Sequence, residues 1–127
     1  MKAVRRYRDG DFDGAMTAVV GVIDTITESI YTSNSLRRHK QSSYQQRAIT
    51  AHKTLEAKFR ASLSGMTAPE ADLAWKGQQR AVNGAADLLG AFRRTYSDAH
   101  GASPAPPPEI VQTAIHSALF LVYSLAG

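Results

Sequence analysis

A helical stripe near the N-terminus limits the fold of this chain more than any other feature. Its apolar residues recur at alternating spacings of four and three: Phe12, Met16, Val19, Ile23, Ile26 and Ile30. That spacing is typical of a helix that packs against other helices along its whole length. Asp11 or Asp13 is expected to cap its start, and the polar run from Thr32 to Ser35 to end it.

Two more helices are predicted in the middle of the chain. The second has apolar spacing at Tyr44, Ala48, His52, Leu55, Phe59 and Leu63, and Ser64-Gly65 ends it. The third begins near Pro69, because proline is tolerated in a first turn. Its apolar positions are Leu73, Ala74, Ala81, Ala85, Leu88, Phe92 and Tyr96. Its glycines, Gly77, Gly84 and Gly90, are expected to let another helix approach closely.

Gly101 and the prolines that follow it predict a stiff extended loop, and a fourth helix begins near Pro108. From Ile110 to Leu125 this helix is apolar around most of its circumference, which implies burial on more than one side. We therefore expect a homodimer. The predicted fold is all-α: one domain over residues 1–127, a bundle of four long helices with a short extra helix at Ala3 to Arg8.

Composition excludes several classes of function. The 127 residues contain no Cys, which rules out thiol catalysis, disulfides and thiolate zinc sites. His and carboxylate residues show no spacing typical of a metal site, so we expect neither metal nor cofactor. The net charge of +4 suits RNA, but surfaces that bind nothing often carry as much. The basic clusters Lys2–Arg8 and Arg37–Lys40 could contact RNA or be solvated. Tyr7 and Tyr44 border these clusters and could stack on a base.

The ends of the chain predict a cytoplasmic protein that does not enter a membrane. Met1 to Arg8 is basic, but Asp9, Gly10 and Asp11 follow it instead of the apolar stretch of a secretory signal. Polar residues interrupt the apolar C-terminal segment, so a buried core helix is expected there. His52 and His116 are predicted to be core histidines.

A polar strip near the end of the third helix could carry chemistry. Seven helical residues turn through about 700°, so Arg93 and His100 share a face about 10 Å apart, with Tyr96 and Ser97 between them. An arginine can hold phosphoryl oxygens while a histidine moves protons, which is what phosphodiester cleavage needs. The alternative is that these are ordinary polar residues of a helix C-terminus.

The segment "RRTYSDAHG" resembles the signature of the HEPN superfamily, an Arg followed a few residues later by His. Within it, "SDAHG" is similar to the abortive-infection C-terminal branch. "GDFDGAMTAVVGVIDTI" resembles a helix near the start of that branch, with its carboxylate at Asp24, and "IVQTAIHSALFLVYSLA" resembles the closing helix. The resemblance covers nearly the whole chain, from about Asp9 to Ala126.

The resemblance implies an all-helical homodimer whose two Arg-His strips face each other in one cleft. Many such proteins are metal-independent endoribonucleases of antiphage abortive-infection or toxin–antitoxin systems, which leave 2′,3′-cyclic phosphate ends on RNA. An antitoxin or a sensor protein would then be a further partner. Some members have lost catalysis and act only as interaction modules.

The resemblance also implies residue roles. Arg93 and His100 would be the catalytic pair, Ser97 and Asp98 would shape the site, and Asp24 would support it from the first helix. Arg94 stands where the family commonly has a small polar residue. Either the local hydrogen bonding differs here, or Arg94 itself binds the phosphate.

Other interpretations remain open on the residues alone. Asp24 is equally explained as an outward-facing polar position on an amphipathic helix. A non-catalytic helical module could dimerise, or dock on a defence or toxin–antitoxin partner, through the fourth helix. A general RNA-binding domain would instead use the two basic clusters, with steep salt dependence and no turnover.

Overall fold

All secondary structure in the described part of the chain is helical. The computed structural model describes residues 2–37, 43–96 and 105–126. Its helices are α1 (Lys2–Arg8), α2 (Phe12–Ser33), α3 (Tyr44–Lys53), α4 (Glu56–Ala61), α5 (Ala68–Tyr96) and α6 (Pro108–Ala126). The all-α prediction is therefore confirmed for these residues. Predicted features at Ser97, Asp98, His100, Gly101 and Arg38 to Lys40 lie outside the described ranges.

Helix α2 is the central helix of the fold. Met16, Val19 and Ile23 of its predicted stripe are buried, and α2 contacts α1, α3, α5 and α6. The Asp11 carboxylate accepts a hydrogen bond of 2.9 Å from the backbone N–H of Gly14, so it caps the first turn as predicted. The helix ends at Ser33, within the expected polar run.

The short N-terminal helix α1 belongs to the core. Ala3 is fully buried, and the Tyr7 ring packs against Phe12 with 5.5 Å between ring centroids. The Arg6 guanidinium donates a hydrogen bond of 2.9 Å to the backbone carbonyl of Gly14 in α2. The Tyr7 ring is half-buried by these contacts, and its stacking on a base stays a prediction.

The second predicted helix is two helices, α3 and α4. Between them the backbone N–H of Thr54 donates to Ala51 O at 3.2 Å and that of Leu55 to His52 O at 3.0 Å, which tightens the turn. The Thr54 hydroxyl also donates to Ala51 O at 2.7 Å, competing with the regular helical hydrogen bond. The prediction of one continuous helix to Leu63 is wrong because apolar spacing does not report this local competition.

Helix α5 is present as predicted, but its buried face is rotated from the predicted stripe. Ala85, Phe92 and Tyr96 of that stripe are partly buried against the core, and none of the stripe residues is fully buried. Leu73 is 57% exposed and Ala81 is exposed, whereas the buried positions are Trp75, Val82, Ala86, Leu89 and Gly90. The Trp75 ring stacks on His52 with 4.9 Å between centroids and contacts Phe59 at 5.3 Å. Burying this large ring sets the rotation of the helix, so the small residues used for the prediction lie beside the contact face.

The three glycines of α5 do not all mark a close approach. A Cβ atom added to Gly77 or Gly84 would meet nothing within 4 Å, so the expectation is wrong at those positions. Only at Gly90, of the three, would it come close to another helix, at 3.1 Å from the Gln45 side-chain oxygen.

Helix α6 packs one face on the core and leaves part of the other open. Its buried residues are Val111, Ala114, Ile115, Ala118, Leu121 and Leu125. Tyr123 is 78% exposed. His52 is a core histidine as predicted, but His116 is exposed, because two residues from Ala114 and from Ala118 it lies on the opposite face. Among the described helices, α6 alone has the length and apolar composition to cross a membrane, a property shared by core helices.

Replacing Leu89 tests the observed face of α5. Because Leu89 is fully buried, Leu89→Ala should lower the free energy of unfolding by about 2–5 kcal/mol. Leu73→Ala, on the same helix, should change it by less than about 0.5 kcal/mol. Urea unfolding followed by circular dichroism measures both, and equal losses would contradict the observed rotation.

Burial of His52 predicts a dependence of stability on pH. Burial lowers the pKa of His52, so the unfolded chain, with an ordinary pKa of about 6.5, binds the proton more readily. The free energy of unfolding should therefore fall as pH drops below about 6.5, and it should fall less over that range in His52→Gln. Unfolding curves of both proteins between about pH 7.5 and 5 measure the difference. Parallel pH profiles would contradict it.

Candidate functional site

Asp24 joins three helices at the surface. From α2, its Oδ1 accepts a hydrogen bond of 3.1 Å from Arg47 Nη2 on α3, and its Oδ2 lies 3.5 Å from Arg93 Nη1 on α5. The three side chains are 35%, 21% and 39% exposed, so they are held in place yet open to solvent. The structure thus brings together two residues singled out from the sequence, Asp24 and Arg93.

Local sequence explains why these side chains meet. Asp24 follows the buried Ile23 and so lies about 100° around α2, at the edge of its packed face. A reciprocal capping box begins α3: Gln46 N–H donates to Ser43 Oγ at 3.2 Å, and Ser43 N–H donates to Gln46 Oε1 at 3.0 Å. This cap fixes the first turn of α3, which carries Arg47 towards α2.

The Arg93 guanidinium also covers an aromatic ring. Its Cζ lies 5.3 Å from the centroid of the Tyr44 ring, a cation–π distance. Tyr44 is only 7% exposed, and burial, with a smaller contribution from the Asp24 carboxylate, raises the pKa of its phenol well above the usual range. The guanidiniums of Arg93 and Arg47 act in the opposite direction. The phenol is therefore a neutral hydroxyl at physiological pH.

Three buried polar atoms beside this cluster have no hydrogen-bond partner among the described residues. They are Tyr44 Oη, Gln45 Oε1 and Arg47 Nε, all on the first turn of α3. Each such atom costs about 1–3 kcal/mol of desolvation when unpaired. Most buried polar groups in proteins are paired, and here three atoms without a partner lie on one helical turn.

Arg94 lies next to the cluster but outside its cleft. Its side chain is exposed and passes Gly90, where an added Cβ would be 3.5 Å from Arg94 Nη1. The cleft itself has a volume of about 280 Å³ and is lined by Asp24, Thr25, Glu28, Arg47 and Arg93. Of the two neighbouring arginines, it is Arg93 that faces the carboxylate.

The cleft contains balanced charge. Two carboxylates, Asp24 and Glu28, and two guanidiniums, Arg47 and Arg93, line it. A bound anion would therefore compete with Asp24 for the same guanidinium groups. The arrangement can orient the planar guanidinium of an arginine towards a phosphate or carboxylate of a ligand.

The other residues predicted for the site have different outcomes. The Tyr96 ring is partly buried and packs against Phe92, with 6.1 Å between ring centroids, and its role in the polar strip stays a prediction. Ser97, Asp98 and His100 lie outside the described residues. In the described ranges, no group of three or more His, Asp or Glu side chains is placed to hold a metal ion.

Sequence reasoning missed Arg47 as a site residue and treated Tyr44 only as a stripe residue or a base-stacking candidate. Tyr44 is in fact buried beneath Arg93, which corrects the stacking suggestion. Tyr44 and Arg47 are three residues apart and therefore lie on one face of α3. This spacing was the sequence signal that could have identified Arg47 as a neighbour of the site.

Comparison with known proteins adds no assignment. A scan against protein-family models, a search of curated proteins and a search of solved structures each found no match for this chain. Inference about function therefore depends on the residues of the site.

Removing the Tyr44 hydroxyl tests whether that group is unpaired. Tyr44→Phe keeps the ring beneath Arg93 and removes a buried polar atom without a partner, so the free energy of unfolding should stay constant or rise by up to about 1 kcal/mol. Urea unfolding of the variant and the parent protein measures this. A loss of about 1 kcal/mol or more would show that the hydroxyl is hydrogen-bonded in solution.

Proposed function

We propose that this protein is a metal-independent endoribonuclease resembling the HEPN superfamily, which acts as a homodimer in antiphage abortive infection or a toxin–antitoxin system. The observation that supports it most directly is the position of Arg93, 3.5 Å from Asp24 in a cleft open to solvent. The resemblance assigns these two residues to one site, although they lie on separate helices.

In the proposed reaction, the 2′-hydroxyl oxygen bonds to the neighbouring phosphorus while the bond from phosphorus to the 5′-oxygen breaks. The products are a 2′,3′-cyclic phosphate and a 5′-hydroxyl. Arg93 stabilises the charge on the phosphoryl oxygens. His100 takes the proton from the 2′-hydroxyl or gives one to the leaving oxygen. Two facing strips in a dimer would supply one histidine for each transfer.

Asp24 acts in this proposal as a positioning residue. Its carboxylate pairs with the guanidiniums of Arg47 and Arg93 and so orients them. The oxygens of an incoming phosphate then accept hydrogen bonds from the guanidinium N–H groups that face the cleft. Because the cleft has no net formal charge, further attraction for RNA comes from outside it. Arg94 and the exposed Arg5 and Arg8 of α1 provide that positive charge.

The proposal also interprets the fold. Under this proposal, α2, α5 and α6, with the pair α3 and α4 as a broken second helix, would correspond to the four helices of a HEPN-type bundle. Ser97 and Asp98 would shape the site next to His100. We place the protein in the cytoplasm with RNA as substrate and with an antitoxin or sensor protein as a further partner.

One observation favours a second candidate, a non-catalytic interaction module. Tyr123 is 78% exposed on α6, and Leu119 and Val122 are only partly buried. An exposed aromatic on an apolar helix is typical of a contact surface. For the general RNA-binding alternative, Arg6 and Tyr7 are engaged in packing α1 on α2, whereas Arg5 and Arg8 of the same cluster are exposed.

A cleavage assay tests the proposed ribonuclease activity. The purified protein is incubated with labelled tRNA and total RNA in the presence of EDTA. We expect cleavage that leaves cyclic phosphate ends. Arg93→Ala should slow it by about 10²–10³-fold, because a donor to the transition-state charge is lost. His100→Ala should slow it by about 10²–10⁴-fold, because proton transfer is lost.

Arg80→Ala is the matched control, since Arg80 is exposed on the same helix as Arg93 and does not line the cleft. It should cleave at the parent rate. Absence of cleavage by the parent protein, loss of cleavage in EDTA, or full activity of His100→Ala would each overturn the proposal. Circular dichroism of every variant shows that the fold persists.

A further inference from the structure

A second cavity lies away from the Asp24 cleft and shares no lining residue with it. This α4–α6 cavity has a volume of about 360 Å³ and lies where α3, α4, α5 and α6 meet. Leu55, Phe59, Phe120 and Tyr123 form its apolar walls. Cavities of roughly 300–1,000 Å³ with apolar walls and a few polar groups are typical of small-molecule sites.

The walls stay open because α4 is packed on one side only. None of its residues is buried, and Phe59 reaches the core by contacting the Trp75 ring at 5.3 Å. Tyr123 is 78% exposed at the other side of the cavity. Apolar surface is therefore left facing the cavity from both α4 and α6.

Most polar groups that line the cavity already have partners. Gln78 Nε2 donates to Ser124 Oγ at 3.0 Å, and Ser62 Oγ donates to the backbone carbonyl of Lys58 at 3.2 Å. The His52 ring stacks on Trp75, and burial lowers the pKa of His52, which favours its neutral form.

Among the described residues that line the cavity, Lys58 supplies the only full charge. Two carboxylates, one on α4 and one on α5, are paired with other cations: Glu56 pairs with Arg60 at 2.7 Å, and Asp72 pairs with Arg60 at 3.0 Å and Lys76 at 2.9 Å. Among the described residues no ion pair involves Lys58. The cavity therefore combines apolar walls with one positive charge.

We propose that the α4–α6 cavity binds a small amphipathic anion, a two-ring aromatic carboxylate or an apolar acid of similar size. A cavity of about 150 Å³ accommodates one benzene ring, so about 360 Å³ has room for two fused rings. The rings pack between Phe59 and Phe120, and the carboxylate pairs with the Lys58 ammonium. This proposal is independent of the ribonuclease.

The test uses 2-naphthoate and its neutral analogue 2-naphthamide as probes. Trp75 is the only tryptophan in the chain, and its ring contacts His52 and Phe59 of the lining. Its single indole N–H signal in a ¹⁵N-correlated spectrum therefore reports on the cavity. We expect naphthoate to shift this indole signal in a saturable way. Naphthamide should bind about tenfold more weakly, which corresponds to a loss of about 1.4 kcal/mol in binding free energy.

Lys58→Met should reduce naphthoate affinity to that of naphthamide. Lys53→Met is the matched control, because Lys53 is exposed on α3 and does not line the cavity, and it should bind as the parent does. Ser124→Leu should block binding by filling the space. No saturable shift in the parent protein, equal binding of both probes, or unchanged binding by Ser124→Leu would overturn the proposal.

Discussion

The buried face of α2 is the constraint on which the rest of the structure depends. Met16, Val19 and Ile23 have almost no exposed surface, and burying side chains of this size contributes about 1.5–3 kcal/mol each. Four other helices contact α2, so its rotation is determined by packing. Asp24, one residue beyond Ile23, is thereby held at the edge of the core, where it reaches Arg47 and Arg93.

Stability alone does not explain the cluster around Asp24. Its ion pairs are partly exposed, and such pairs contribute about 1 kcal/mol or less. On the same turn of α3, three buried polar atoms without partners each cost about 1–3 kcal/mol. An apolar contact between α3 and α5 would stabilise the fold better. Without a water or ligand to pair with these three atoms, the cluster therefore costs more free energy of folding than its ion pairs return.

Local sequence signals were sufficient for three features. Apolar periodicity predicted α2, the prolines and the apolar run after them predicted α6, and capping chemistry limited the N-cap of α2 to Asp11 or Asp13, of which Asp11 forms it. Periodicity failed at Thr54, where a hydroxyl competes for a backbone carbonyl while the apolar spacing continues unchanged. It also misplaced the face of α5, because many small residues suggested one face and a single large ring, Trp75, determined another. Arg93 was predicted from the polar strip that it shares with His100 and from the resemblance, and Asp24 from the resemblance. Arg47 was missed because its role depends on contacts among three helices.

Helix α3 connects the two candidate sites. Arg47 near its start pairs with Asp24, and His52 near its end lines the α4–α6 cavity and stacks on Trp75. Because α3 is only ten residues long and capped at Ser43, one short helix positions both of these side chains. The turn at Thr54 ends α3 before the outer wall of the cavity begins. That wall is therefore positioned separately, by the contact of Phe59 on α4 with the Trp75 ring.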